Sequence, residues 1–121
     1  MLDLSGQGLK TISSSVFQMT DLEELDLSDN QLTGALPGEI RFLEKLRVLD
    51  VSGNAMTGVP AEIGQLSSLE ELDLSDNQLT GLPLELGNLE NLRVLDLSGN
   101  DVSSQDLEAI RARLENTNII L

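Results

Sequence analysis

The sequence predicts an α/β solenoid, with a curved parallel β-sheet on a concave side, short helical turns on a convex side and a helix closing the C-terminal end. Three observations predict it. The pattern Leu-x-x-Leu-x-Leu-x-x-Asn-x-Leu, with conservative replacements, fills residues 22–32, 46–56, 69–79 and 92–102, and residues 2–9 repeat it without the front end. The equivalent leucines Leu2, Leu25, Leu49, Leu72 and Leu95 are spaced 23, 24, 23 and 23 residues apart, a period that belongs to stacked repeats. Within each copy, apolar and polar residues alternate and then give way to Gly and Pro.

The alternation makes the strand. Leu72 and Leu74 alternate with Glu71 and Asp73, a period of two that sends leucines to one face and acids to the other. Asn77 follows where the chain must turn, as do Asn30, Asn54 and Asn100. A side-chain amide there can satisfy backbone groups that the bend leaves unpaired, and Gln7 stands in for it in the first copy. After the turn come Gly81, Pro83, Glu85 and Gly87, paralleled by Gly58, Pro60, Glu62 and Gly64. Gly81 and Gly58 permit a bend, proline suits the first position of a helical turn, the glutamates sit at its positive end, and Gly87 and Gly64 offer a stop. One extra residue, Ala35, accounts for the single 24-residue interval. Residues 1–101 are thus five repeats, the first incomplete.

Residues 102–121 depart from the repeat and read as a cap. Ser103 and Asp106 have capping-box spacing, Leu107, Ile110 and Leu114 share one helical face, and Arg111 and Arg113 lie where a helix dipole favours cations. Asn118 to Leu121 has the β-branched character of a last strand, expected to pair parallel to the strand around Leu95. The N-terminal end has no such device, so Leu2 to Leu4 would be an open strand edge, and self-association there is a further expectation. Phe17 and Phe42 are expected to patch the convex core, with an exposed apolar contact as the alternative.

The units resemble leucine-rich repeats that carry Leu-Thr-Gly-x-x-Pro or Leu-Thr-Gly-Leu-Pro after the asparagine. Leu32-Thr-Gly-Ala-Leu-Pro37 is similar to the plant-type variant, and Leu79-Thr-Gly-Leu-Pro83 is closer to the typical variant of bacterial and intracellular proteins. The resemblance covers nearly the whole chain. It implies strands lining a concave surface and binding of proteins or peptides as the usual role.

Composition narrows the function classes. Cys, His, Trp and Tyr are absent, which removes disulfides, thiolate metal ligation, most nucleophile–base pairs and most aromatic stacking platforms. With 21 Asp and Glu against 7 Lys and Arg, the chain opposes nucleic acid and anionic membranes and favours a basic or polar protein partner. Neighbouring aspartates have the separation of a retaining-glycosidase pair, but every pair in a regular file shares it, so it selects no catalytic site. No cofactor is implied and no enzyme is expected. A cation site along the aspartates is disfavoured because calcium needs converging oxygens rather than a line of them. The start has neither a basic nor an apolar signal segment. As written the chain is untargeted, whereas an excised piece could have lost an export signal, so localisation is left open.

The outward positions should form files from repeat to repeat, about 4.8 Å apart. One is Asp3, Asp26, Asp50, Asp73 and Asp96, with Ser5, Ser28, Ser52, Ser75 and Ser98 beside it. Another is Glu24, Val48, Glu71 and Val94, flanked by Glu23, Arg47, Glu70 and Arg93, whose opposite charges would pair across strands. The candidate partner-binding residues are therefore Asp26, Asp50, Asp73 and Asp96, with Glu24 and Glu71 as flanking charges and Val48 and Val94 as small apolar contacts. Repulsion along the aspartates should be reduced by the serines and the arginines. The rival reading is a structural repeat segment or engineered scaffold with no dedicated ligand, since the aspartate and serine files do not vary from copy to copy.

Overall fold

Alternating leucines and acids give strands of two or three residues that stack in the register the repeat period demands. The computed structural model describes residues Met1–Leu121. Strands β1 (Leu2–Asp3), β2 (Glu24–Asp26), β4 (Val48–Asp50), β6 (Glu71–Asp73), β7 (Val94–Asp96) and β8 (Asn118–Ile120) form one parallel sheet in the order β1-β2-β4-β6-β7-β8. Leu2, Leu25, Leu49, Leu72 and Leu95 are direct partners, and Ile119 continues their row. These leucines point inward: Leu25, Leu49, Leu72 and Leu95 are fully buried and belong to a single core of 26 residues that runs from Val16 to Leu114. Burying one such side chain is worth about 1.5–3 kcal/mol, so each repeat is held by its neighbours rather than by itself.

The asparagines do what the turn requires. Asn77 donates from Nδ2 to the carbonyls of Val51, Leu74 and Ser75 at 3.0, 3.1 and 3.1 Å and accepts the Met56 amide at 3.0 Å. Asn30, Asn54 and Asn100 repeat this, each binding its own coil to the preceding one. Gln7 does not join them: its side chain is exposed and unbonded, and its amide instead donates to Asn30 Oδ1.

Convex turns are 3₁₀ helices of five residues, Ser14–Gln18, Gly38–Phe42, Ala61–Gln65 and Leu84–Asn88. Two local expectations need correction. Pro37, Pro60 and Pro83 are the caps before the turns, with extended backbone, rather than their first residues. Gly64 and Gly87 lie inside the turns and do not end them. Their role is close approach, because a Cβ on Gly64 would sit 2.6 Å from the Glu85 carbonyl oxygen and one on Gly87 would sit 2.8 Å from Arg113 Cδ. Periodicity did not disclose a second element: β3 (Thr33–Gly34), which ends just before Ala35, and β5 (Ala55–Met56) form a separate two-stranded parallel sheet.

Helix α1 (Ser104–Arg111) closes the stack against the last 3₁₀ turn, burying Ile110, with Leu114 buried just beyond it. Ser103 caps it, its hydroxyl accepting the Asp106 amide at 3.4 Å. The reciprocal half of the capping box is missing, since Asp106 Oδ2 accepts the Leu82 amide of the preceding coil at 3.1 Å and the Ser103 amide goes to Thr80. Arg113 reaches back to Asn88 Oδ1 at 2.6 Å. Strand β8 pairs parallel with β7, Leu95 opposite Ile119. At the other end Leu2, Leu4, Leu9 and Ile12 are only partly buried. Phe17 is core, as expected, whereas Phe42 is 46% exposed with the Arg41 guanidinium 4.4 Å from its ring centre. Phe42 ends its turn one residue later in the turn than Phe17, which directs it outward.

Candidate functional site

With the central leucine of each strand turned inward, the residues on either side of it share the opposite face. Glu24, Val48, Glu71 and Val94 are successive partners, and so are Asp3, Asp26, Asp50, Asp73 and Asp96. The structure thus brings all eight candidate residues onto one concave surface. A shallow hollow of about 160 Å³ lies between Val48, Glu71 and Val94, with Asp50, Asp73 and Asp96 along one side.

Each aspartate is held from its own strand. Asp50 Oδ1 accepts the Ser52 amide at 2.9 Å and the Ser52 hydroxyl at 2.6 Å. The same pair of bonds occurs at Asp3–Ser5, Asp26–Ser28, Asp73–Ser75 and Asp96–Ser98. The Oδ2 atoms of this file accept no hydrogen bond within the protein. Serine therefore tempers the repulsion as expected, but arginine does not. Arg47 lies 3.8 Å from Glu23 and 3.4 Å from Glu70, and Arg93 lies 3.8 Å from Glu70, so the cations spend their charge on the flanking file.

The aspartates are not electrostatically equivalent. Burial pushes the Asp50 carboxyl above its ordinary pKa, against the Ser52 bonds that pull it down, and the Asp73 and Asp26 charges on either side add to the rise. At the exposed edge, bonds from the Ser5 hydroxyl and amide hold Asp3 below its ordinary value. Position in the stack decides the difference: Asp50 has an acid on both sides and partial burial, whereas Asp3 is fully exposed.

A second two-coil rhythm was missed in the sequence. The residue before each turn asparagine alternates, Asp29, Gly53, Asp76 and Gly99, and all four have positive φ, at 56°, 67°, 54° and 71°. A Cβ on Gly53 would run into the Asp29 carboxylate, and one on Gly99 into that of Asp76. Each aspartate thus occupies the space its successor's side chain would need. Alternating Asp and Gly at one offset was the available signal. A larger depression of about 740 Å³ lies at the N-terminal ends of the strands, where Glu23, Arg47, Glu70 and Arg93 converge with Asn91 and Asn116. No group of three or more Asp or Glu is placed to hold a metal ion.

Known proteins share this geometry. The chain is 43% identical to an LRR protein of Leptospira interrogans, with a TM-score of 0.87 over 93% of this chain and 28% of that one. It is 40% identical to a chain in the crystal structure of the BIR3–SERK2 complex from Arabidopsis thaliana, with a TM-score of 0.77 over 85% of this chain and 57% of that one. Among curated proteins, the CCR4-Not complex 3'-5'-exoribonuclease subunit Ccr4 of Neurospora crassa is 47% identical over 51 residues, which is 42% of this chain and 6% of that protein. The chain spans less than a tenth of the length of the curated relatives it matches. The family description "Leucine-rich repeat region" matches residues 1–119. On that match, and on the stacked coils that embody it, the chain belongs to the leucine-rich repeat family.

Proposed function

We propose that this chain is a non-catalytic protein-interaction module whose acidic concave face receives a basic or polar segment of a protein or peptide partner. Leucine-rich repeat domains generally mediate protein–protein interaction, and one of the similar structures is itself a complex, BIR3 with SERK2. The observation that carries the reading is the aspartate file: five carboxylates in register, each with Oδ1 fixed by serine and Oδ2 open to a donor. Pre-oriented acceptors need little ordering when a cationic segment arrives, which favours its binding. Glu24 and Glu71 extend the negative field and Val48 and Val94 offer apolar contact. Nucleic acid is disfavoured by a net charge of −14. No helix is long and apolar enough to cross a membrane.

The test is a pull-down with the immobilised protein beside a variant carrying Asn at 26, 50, 73 and 96. Asparagine keeps the Oδ1 acceptor for each serine, so the fold survives while the charge goes. A protein retained by the wild type and lost by the variant supports the reading; equal retention by both refutes it. A specific observation favours the rival, a structural segment or scaffold without a ligand: the Asp–Ser bonds give every copy a local reason to keep both residues. Self-association through the β1 edge is proposed separately. A strictly monomeric mass at high micromolar concentration by light scattering would rule that out.

A further inference from the structure

The file flanking the concave face obeys a charge alternation that breaks at one end. Along it stand Glu23, Arg47, Glu70 and Arg93. Arg47 is sandwiched between two carboxylates, at 3.8 and 3.4 Å, and its side chain is 41% exposed. Arg93 has one carboxylate, Glu70 at 3.8 Å, and its side chain is 77% exposed. The next position on its far side is set by the pairing of Val94 with Asn118, which places Thr117 beside Arg93. Thr117 is uncharged, and its hydroxyl is already donated to the Leu92 carbonyl at 2.7 Å. Where the rhythm calls for a third glutamate, the protein therefore supplies none. The 740 Å³ depression lies mainly on the inner side of Arg93, walled by Glu23, Lys45, Arg47, Glu70 and Glu90, and the coil on its outer side contributes only the uncharged Asn116.

We infer that the partner segment supplies the missing carboxylate, an Asp or Glu side chain that pairs with Arg93 from its outer side, over Asn116 and Thr117. The inference rests on the acidic-face reading and sharpens it, because the two surfaces together fix the partner's chemistry and direction. Arg93 and Asp96 are three residues apart on one strand, about 10 Å at extended spacing. An extended segment laid along the strand would need an acid over Arg93 and a cation about three residues away over the aspartates. A purely basic segment would satisfy one file and leave the guanidinium fork unfilled. Arginine suits this role because its planar donors match a carboxylate in pairs. Charge complementarity of this kind selects orientation and encounter rate more than total affinity.

The experiment is selection of random 12-residue displayed peptides against the wild type, followed by affinity measurement of the selected peptides on Arg93→Gln, Arg93→Lys and Asp50→Asn/Asp73→Asn proteins, each checked for an unchanged melting curve. The expected peptides carry an acid offset about three residues from a Lys or Arg. They bind R93Q roughly two- to fivefold more weakly at low salt, the size of an exposed ion pair, with R93K recovering most of the loss. Raising salt toward 1 M, where screening acts over about 3 Å, should erase the difference. Selected peptides without an enriched acid, or with equal affinity for wild type and R93Q, overturn the inference. If those peptides still depend on Asp50 and Asp73, the acidic-face reading stands without it. Dependence on Arg93 alone sinks the acidic-face reading and keeps the carboxylate site, and recovery of no peptide sinks both.

Discussion

Replacing Asn77 with alanine tests the joint between coils most sharply. Asn77 makes four bonds, but its removal does not orphan four groups. The Val51 carbonyl keeps the Asn54 amide, the Leu74 carbonyl keeps the Asn100 amide, and the Ser75 carbonyl keeps the Gly53 amide. Only the Met56 N–H, in a buried site, loses its sole partner. An unsatisfied buried donor costs about 1–3 kcal/mol, and three carbonyl bonds lost with second partners retained cost about 0.5 kcal/mol each. Asn77→Ala should therefore lower the unfolding free energy by about 3–4 kcal/mol, read by urea denaturation as a lower midpoint at unchanged slope. Gln7→Ala, at the same repeat position but with no bonds to lose, should stay within about 0.5 kcal/mol. Adding Asn54→Ala to Asn77→Ala strips the Val51 carbonyl of both its amides, so the pair should cost more than the sum. A loss below about 1 kcal/mol for Asn77→Ala, or losses equal at positions 7 and 77, would refute this reasoning.

Gly64→Ala should destabilise by about 1–3 kcal/mol in thermal melts despite alanine's better helical propensity, because the new methyl meets the Glu85 backbone; a gain would show that the turns are not in close approach. Phe17→Ala should cost about 3–5 kcal/mol and Phe42→Ser about 0.5 kcal/mol or less, since one ring is buried and the other is not. Asp50→Asn should raise stability relative to wild type as pH rises. With its folded pKa raised, Asp50 makes the folded state bind more protons, so wild-type stability falls as pH climbs from the ordinary aspartate range through the folded value. The lowered Asp3 and Asp21 act oppositely but are common to both proteins. The difference in melting temperature should move in favour of Asp50→Asn between pH 3 and pH 7, and one that does not change with pH would contradict the assignment.

Strand positions, the asparagine ladder, the closing helix and the meeting of eight candidate residues on one face were legible in the sequence, because each follows from a period. What periodicity could not show was how one coil touches the next. Gly64 reads as a helix stop until the Glu85 carbonyl is found where its Cβ would be. Asp106 reads as half of a capping box until the Leu82 amide turns out to hold it. Arg47 and Arg93 sit near the aspartates in the sequence, yet geometry gives them to Glu23 and Glu70. The same holds for Phe42, whose one-residue offset from Phe17 within the turn decides between core and solvent.

All of this depends on five aspartates standing side by side because their strands hydrogen-bond in one register. Through-hydrogen-bond scalar couplings in an isotope-labelled sample measure that register directly in solution. The account predicts couplings from the Leu27 amide to the Asp50 carbonyl, from Val51 to Asp73 and from Leu74 to Asp96, pairs separated by 2.7, 2.9 and 2.9 Å. Couplings displaced to other residues, or none at protected amides of these strands, would contradict it.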